Sequence, residues 1–164
     1  MPRCLTPAEV VAEARTWIGT PAVPQAGVRG IGADCGGIHR GLLRTWGITL
    51  TFPDEHVATL RAMDWYLHTR REWFYEAFVL SELMEEVPVA QRQLSDTLLL
   101  GFGRNPASHA TLLSQIAPQE MVLHTDPRRG IVEVPLAPYA QRIRWVFRLN
   151  YAAIAERMQE EVPQ

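Results

Sequence analysis

Beyond Pro88 the sequence breaks into five short apolar runs, at 97–102, 110–113, 121–123, 131–134 and 145–149, each fenced by Gly, Pro, Asn or Asp. Runs this short leave too few residues for stable helices, and the breakers between them supply turns, so the segment predicts antiparallel strands. The stretch before Pro88 is patterned differently, with apolar residues recurring every three or four positions. Helices first and a sheet after define an α+β domain. At 164 residues the chain is the size of a single domain spanning 1–164.

The helical half has readable ends. Thr6-Pro7-Ala8-Glu9 has the form of a capping box with Pro at the first helical position. The helix it opens is expected to run to about Ile18, burying Val10, Ala14, Trp17 and Ile18, and to stop at Gly19-Thr20-Pro21. Gly19, Gly27, Gly30 and Gly32 then predict an irregular loop. A second helix is expected from Cys35, carrying Ile38, Leu42, Leu43 and Trp46 inward, with Gly47 in the C′ position. Pro53-Asp54 opens a long helical insert over about 54–86, broken near His68 to Arg71 where the apolar stripe loses phase, and rich in Trp65, Tyr66, Trp73, Phe74, Tyr75 and Phe78. Packing accounts for such an aromatic cluster more readily than a docking surface does. Residues 151–161 predict a terminal helix.

Composition removes several classes of function. A net charge of −2 argues against a protein that wraps nucleic acid by bulk charge. The pairs Arg70-Arg71 and Arg128-Arg129 are too short for a nucleic-acid patch. No apolar run approaches the roughly 18 residues of a membrane span, and no secretory leader is expected. All 16 Lys-or-Arg side chains are Arg, which excludes a Schiff-base lysine and a P-loop. The two cysteines, Cys4 and Cys35, make no disulfide framework, and with no CxxC or HExxH a metal site is not expected.

Cys35 is the candidate nucleophile. Gly32-Ala33-Asp34-Cys35-Gly36-Gly37 places it in the first turn of the second helix, with Asp34 as the N-cap. There the positive end of the helix dipole and the first-turn N–H groups favour a thiolate and could hold an oxyanion. A buried structural cysteine is the competing reading. Of the five histidines, His109 is the best candidate base. It follows the expected turn Asn105-Pro106-Ala107-Ser108 and leads a strand. His124 ends the next strand run, so neighbouring strands would bring it beside His109 as an orienting group. His39, at i+4 from Cys35, is a rival partner that should lean along the helix. His56 and His68 read as surface groups. Asp34, Gly36 and Ser108 are candidate substrate contacts, the small Gly36 and Gly37 allowing close approach of a substrate backbone.

These residues resemble the NlpC/P60 family of cell-wall cysteine peptidases, in particular the short versions of tailed phages, prophages and gene transfer agents. The resemblance runs from Glu13 to about Leu149. It is carried by Ala14-Arg15-Thr16-Trp17-Ile18-Gly19-Thr20-Pro21, by Gly32 to Gly37, by Pro106-Ala107-Ser108-His109-Ala110, and by Leu123-His124 followed by Gly130-Ile131-Val132. It implies a papain-like fold with N-terminal helices on an antiparallel sheet. It implies Cys35 as nucleophile, His109 as base and His124 as the orienting residue, with no cofactor. The implied substrate is a peptidoglycan stem peptide, cut at the D-γ-glutamyl–diaminopimelate (or lysine) bond. The implied setting is a virion tail, or the bacterial cytoplasm before assembly, among other tail-tip proteins. Two positions depart from the pattern: Ala22 stands where an aromatic residue is usual, and Ser95-Asp96 where Gly-Asp is usual. A tail-tip structural protein with the fold but little catalysis, and a Cys–His amidase or acyltransferase, are the other functions such a chain could serve.

Overall fold

The computed structural model describes residues 4–48, 79 and 83–160. The aromatic insert from 54 to 78, with His56, His68, Arg70 and Arg71, lies outside the described residues. The capping box forms as the sequence predicts. Glu9 N–H donates to Thr6 Oγ1 at 3.3 Å and Thr6 N–H to Glu9 Oε2 at 2.9 Å, opening helix α1 (Pro7–Arg15).

Helix α1 stops at Arg15, three residues earlier than expected. The next N–H groups reach back three residues instead of four, as in Trp17 to Ala14 and Ile18 to Arg15. That tightened turn still buries Trp17 but rotates Ile18 off the stripe, leaving it 47% exposed. The glycine loop is less irregular than expected, because Gly27–Val28 (β1) and Gly32–Ala33 (β2) pair into a small antiparallel ladder. Helix α2 (Cys35–Thr45) follows directly, and Gly47 adopts the left-handed φ of +75° that closes it. It buries Ile38, Leu42 and Leu43, each worth roughly 1.5–3 kcal/mol as apolar surface removed from water.

The expected helix reaching Glu86 is corrected at its end. Met84–Val87 is a strand (β3) paired antiparallel with the last strand of the chain. Its pattern of half-buried Met84 and Val87 around exposed Glu85 and Glu86 is that of an edge strand, which the helical period concealed. The other strands are Thr97–Phe102 (β4), Asn105–Gln115 (β5), Met121–Asp126 (β6), Gly130–Pro135 (β7) and Ile143–Leu149 (β8). Together they form one six-stranded antiparallel sheet ordered β3-β8-β4-β5-β6-β7. Helix α3 (Tyr151–Glu160) ends the described chain.

Period-two alternation splits the core between the two faces. Leu112, Leu123, Ile131 and Leu149 pack against Val10, Ala14, Trp17, Ile38, Leu42 and Ile154 of the helical layer. The opposite face collects Leu98, Leu100, Leu113, Val122 and Val146 under Leu136 and Tyr139, which belong to the segment between β7 and β8. A half-buried bidentate pair ties the sheet to its entry loop, with Arg148 Nε at 2.9 Å from Asp96 Oδ1 and Nη2 at 2.8 Å from Oδ2. Beside it Ser95 holds φ at +71°, a conformation that suits glycine, and its hydroxyl bonds Tyr151. The backbone there thus keeps the shape a Gly-Asp pair would take.

Candidate active site

The cap of α2 is the site's foundation. Asp34 is buried, and both its oxygens are engaged: Gly37 N–H donates to Oδ1 at 2.6 Å and Gln25 N–H to Oδ2 at 2.7 Å. Asp34 is therefore the N-cap and also a clip joining the glycine loop to the helix. Gly37 makes that junction possible, since a Cβ at this position would run into the Ala26 carbonyl oxygen.

Cys35 is the first residue of α2 and is 4% exposed, whereas Cys4 is exposed. Cys35 shares a small buried cluster with Leu99, Ala110 and Phe147 of the sheet. The thiol thus sits where the helix N-terminus meets the centre of the sheet, and Ala110 is the residue after His109.

Residues 105–108 do not form the expected turn. Gly103 and Arg104 turn the chain, Gly103 with a φ of +59°, and β5 already begins at Asn105. His109 therefore lies within β5 instead of at its start. It pairs with Leu100, next to a register shift between Leu100 and Phe102, the kind of irregularity that re-aims side chains. Ser108 Oγ accepts the Phe102 N–H at 3.1 Å and closes this corner.

Strands β5 and β6 are neighbours, and the two histidines meet across them. His109 Nε2 lies 3.0 Å from His124 Nδ1, with the rings perpendicular and their centres 5.2 Å apart. Phe102 packs edge-on against His109 at 6.2 Å, and Tyr139 lies 5.9 Å from His124. Burial pushes His109 down to about 3, helped by the fields of His124 and His39. His124 is also lowered, mainly by burial and against the pull of Asp126. Both rings are neutral at physiological pH. With Nε2 of His109 spent on His124, Nδ1 is the nitrogen left to take a proton.

His39 faces the sheet and contacts Thr97 of β4. It is buried, its Nδ1 lies 3.4 Å from Thr97 Oγ1, and burial together with Arg40 lowers it to about 4. Gly36, the second residue of α2, is half-buried. Ala22 forms an isolated parallel bridge with Ala33, directly before the cap. Sequence reasoning missed Phe102 and Tyr139 as neighbours of the histidines. Tyr139 sits in a 3₁₀ segment, Ala137–Arg142, without apolar period, so only the strand register reveals where it falls.

No family model and no curated protein sequence matches the chain. Among solved structures it is similar to the NlpC/p60 domain of peptidoglycan hydrolase SagA, at 19% sequence identity with a TM-score of 0.57. The match covers 87% of this chain and 97% of that one. The likeness shows the fold: helices and an antiparallel sheet in the NlpC/p60 arrangement.

Proposed function

We propose that this protein is a thiol peptidase acting on peptidoglycan stem peptides, with Cys35 as nucleophile, His109 as base and His124 as the residue that orients it. One observation carries the reading. Two histidines on neighbouring strands, fifteen residues apart, share a 3.0 Å contact that occupies Nε2 of His109 and leaves Nδ1 to take a proton, in a chain whose buried Cys35 opens a helix. The fold shared with a peptidoglycan hydrolase domain supports the substrate class.

The reading assigns each of the three residues a step. His109 Nδ1 accepts the Cys35 thiol proton as sulfur attacks the scissile carbonyl carbon. The oxyanion forms at the start of α2, where first-turn backbone N–H groups and the helix dipole stabilise it. Collapse breaks the C–N bond, the departing amine takes the proton from His109, and a thioester remains on Cys35. Water, deprotonated by the same imidazole, then releases the acid and restores the thiol. A neutral His109 suits this cycle, because it must be unprotonated to begin each half.

The bond we propose is D-γ-glutamyl–diaminopimelate and the setting a phage tail tip, both resting on the sequence resemblance. The test is incubation of purified stem peptides with the protein and with Cys35→Ala, with products read by mass spectrometry. Cleavage by the first alone supports the reading, and the product masses name the bond. Inactivity of the unaltered protein on every stem peptide would move the assignment to a structural tail component.

A further inference from the structure

Arg142 is a cation linked to the histidine pair through one aromatic ring, Phe102. It is exposed at the end of the 3₁₀ segment before β8, and its guanidinium lies 4.8 Å from the Phe102 ring centre. That ring in turn packs edge-on against His109. The two contacts place the guanidinium no farther than about 11 Å from the His109 ring centre. Among the described residues Arg142 makes no ion pair, whereas Arg15, Arg29, Arg92, Arg129 and Arg148 each face a carboxylate.

A stacked guanidinium keeps its charge and its in-plane N–H groups while its faces are occupied, so it is pre-aimed and loses little freedom on accepting a carboxylate. A carboxylate brought there would give the guanidinium the partner that no described side chain supplies. An extended peptide advances about 3.3 Å per residue, so 11 Å corresponds to about three residues. On the peptidase reading, which puts the scissile bond beside His109, a substrate carboxylate held by Arg142 would lie within about three residues of that bond.

We propose that Arg142, stacked on Phe102, is a specificity-determining residue that selects substrates with a free carboxylate close to the scissile bond over those in which it is a carboxamide. The proposal rests on the peptidase reading and deepens it. The other exposed feature near α2, the apolar side chains of Val23, Val28 and Ile31 on the glycine loop, carries no such argument, because nothing on it indicates an occupant.

The experiment uses a pair of γ-D-glutamyl stem peptides that differ only in the free α-carboxylate or α-carboxamide of the glutamyl residue. Their binding to the full-length Cys35→Ala protein is measured by calorimetry, and their turnover by the unaltered protein. A charge-assisted contact at an exposed site predicts binding of the acid tighter by up to about fivefold. The same preference should appear in KM while kcat changes little. Arg142→Gln should bring the acid's Kd and KM to the amide's values, and Arg142→Lys should keep part of the preference, since charge survives while the planar fork is lost. Raising salt from 50 to 500 mM should shrink the preference in the unaltered protein. Equal binding of acid and amide, or a preference that survives Arg142→Gln, overturns the role of Arg142 and leaves the peptidase reading standing. If neither peptide binds and neither is cut, both fall.

Discussion

Acid should destabilise this protein well before its carboxylates titrate. His39 and His109 ionise near 6.5 in the unfolded chain, but burial holds them at about 4 and about 3 in the fold. Between those values the unfolded state binds more protons, so the stabilisation is complete above pH 6.5 and is lost as the pH falls. At pH 5 each histidine is neutral in the fold and mostly protonated when unfolded. That difference costs about 2 kcal/mol per residue relative to pH 7, or about 4 kcal/mol for the two. A domain with 5–15 kcal/mol in hand would lose a large share of it. Urea midpoints at pH 7, 6 and 5, at constant ionic strength, read this directly. The decline should steepen below pH 6.5, and His109→Gln, which cannot take up the proton, should remove about half of it. A midpoint that stays level from pH 7 to pH 5, or a decline unchanged by His109→Gln, would refute the reasoning.

The site gives further expected outcomes. His124→Ala should lower kcat on stem peptides with KM nearly unchanged, because an orienting contact acts mainly in the transition state, and His124→Asn or His124→Gln should recover part of the loss. His109→Ala should cost more, roughly 10²- to 10⁴-fold, since the base itself is gone; full activity in His124→Ala would leave a Cys–His dyad. Gly37→Ala should lower the melting temperature and abolish turnover together, because the new methyl meets the Ala26 carbonyl and must push the loop off the cap of α2. A Gly37→Ala protein of unchanged stability would show that the loop yields freely there.

Which parts of this architecture the sequence reveals depends on how local the cause is. Thr6 with Glu9, Asp34 before Cys35, and Gly47 after α2 act within one turn of a helix, and each does what its residue type predicts. The strand runs were legible because each is a short apolar run fenced by Gly, Pro, Asn or Asp. Met84–Val87 was not, since two glutamates between two apolar residues fit a helix as well as an edge strand, and only pairing with β8 decides. The meeting of His109 and His124 was legible as a consequence of neighbouring strands. The surroundings of that pair were not. Phe102 turns toward His109 beside a register shift, and Tyr139 and Arg142 arrive on a segment with no period, so neither leaves a pattern in the chain. Ser95 is the converse case, where the left-handed backbone explains why glycine would suit the position and Tyr151 anchors the serine found there.

The central claim is that Cys35 becomes covalently acylated. A stem peptide carrying a chloromethyl ketone at its scissile position, which loses chloride as sulfur bonds the methylene carbon, incubated with the protein near neutral pH and mapped by peptide mass spectrometry, tests its nucleophile most directly. The account predicts one adduct, on Cys35, that forms much more slowly in His109→Ala and leaves the exposed Cys4 unmodified. Labelling of Cys4 and Cys35 at equal rates, or labelling of Cys35 that is indifferent to His109, would contradict it.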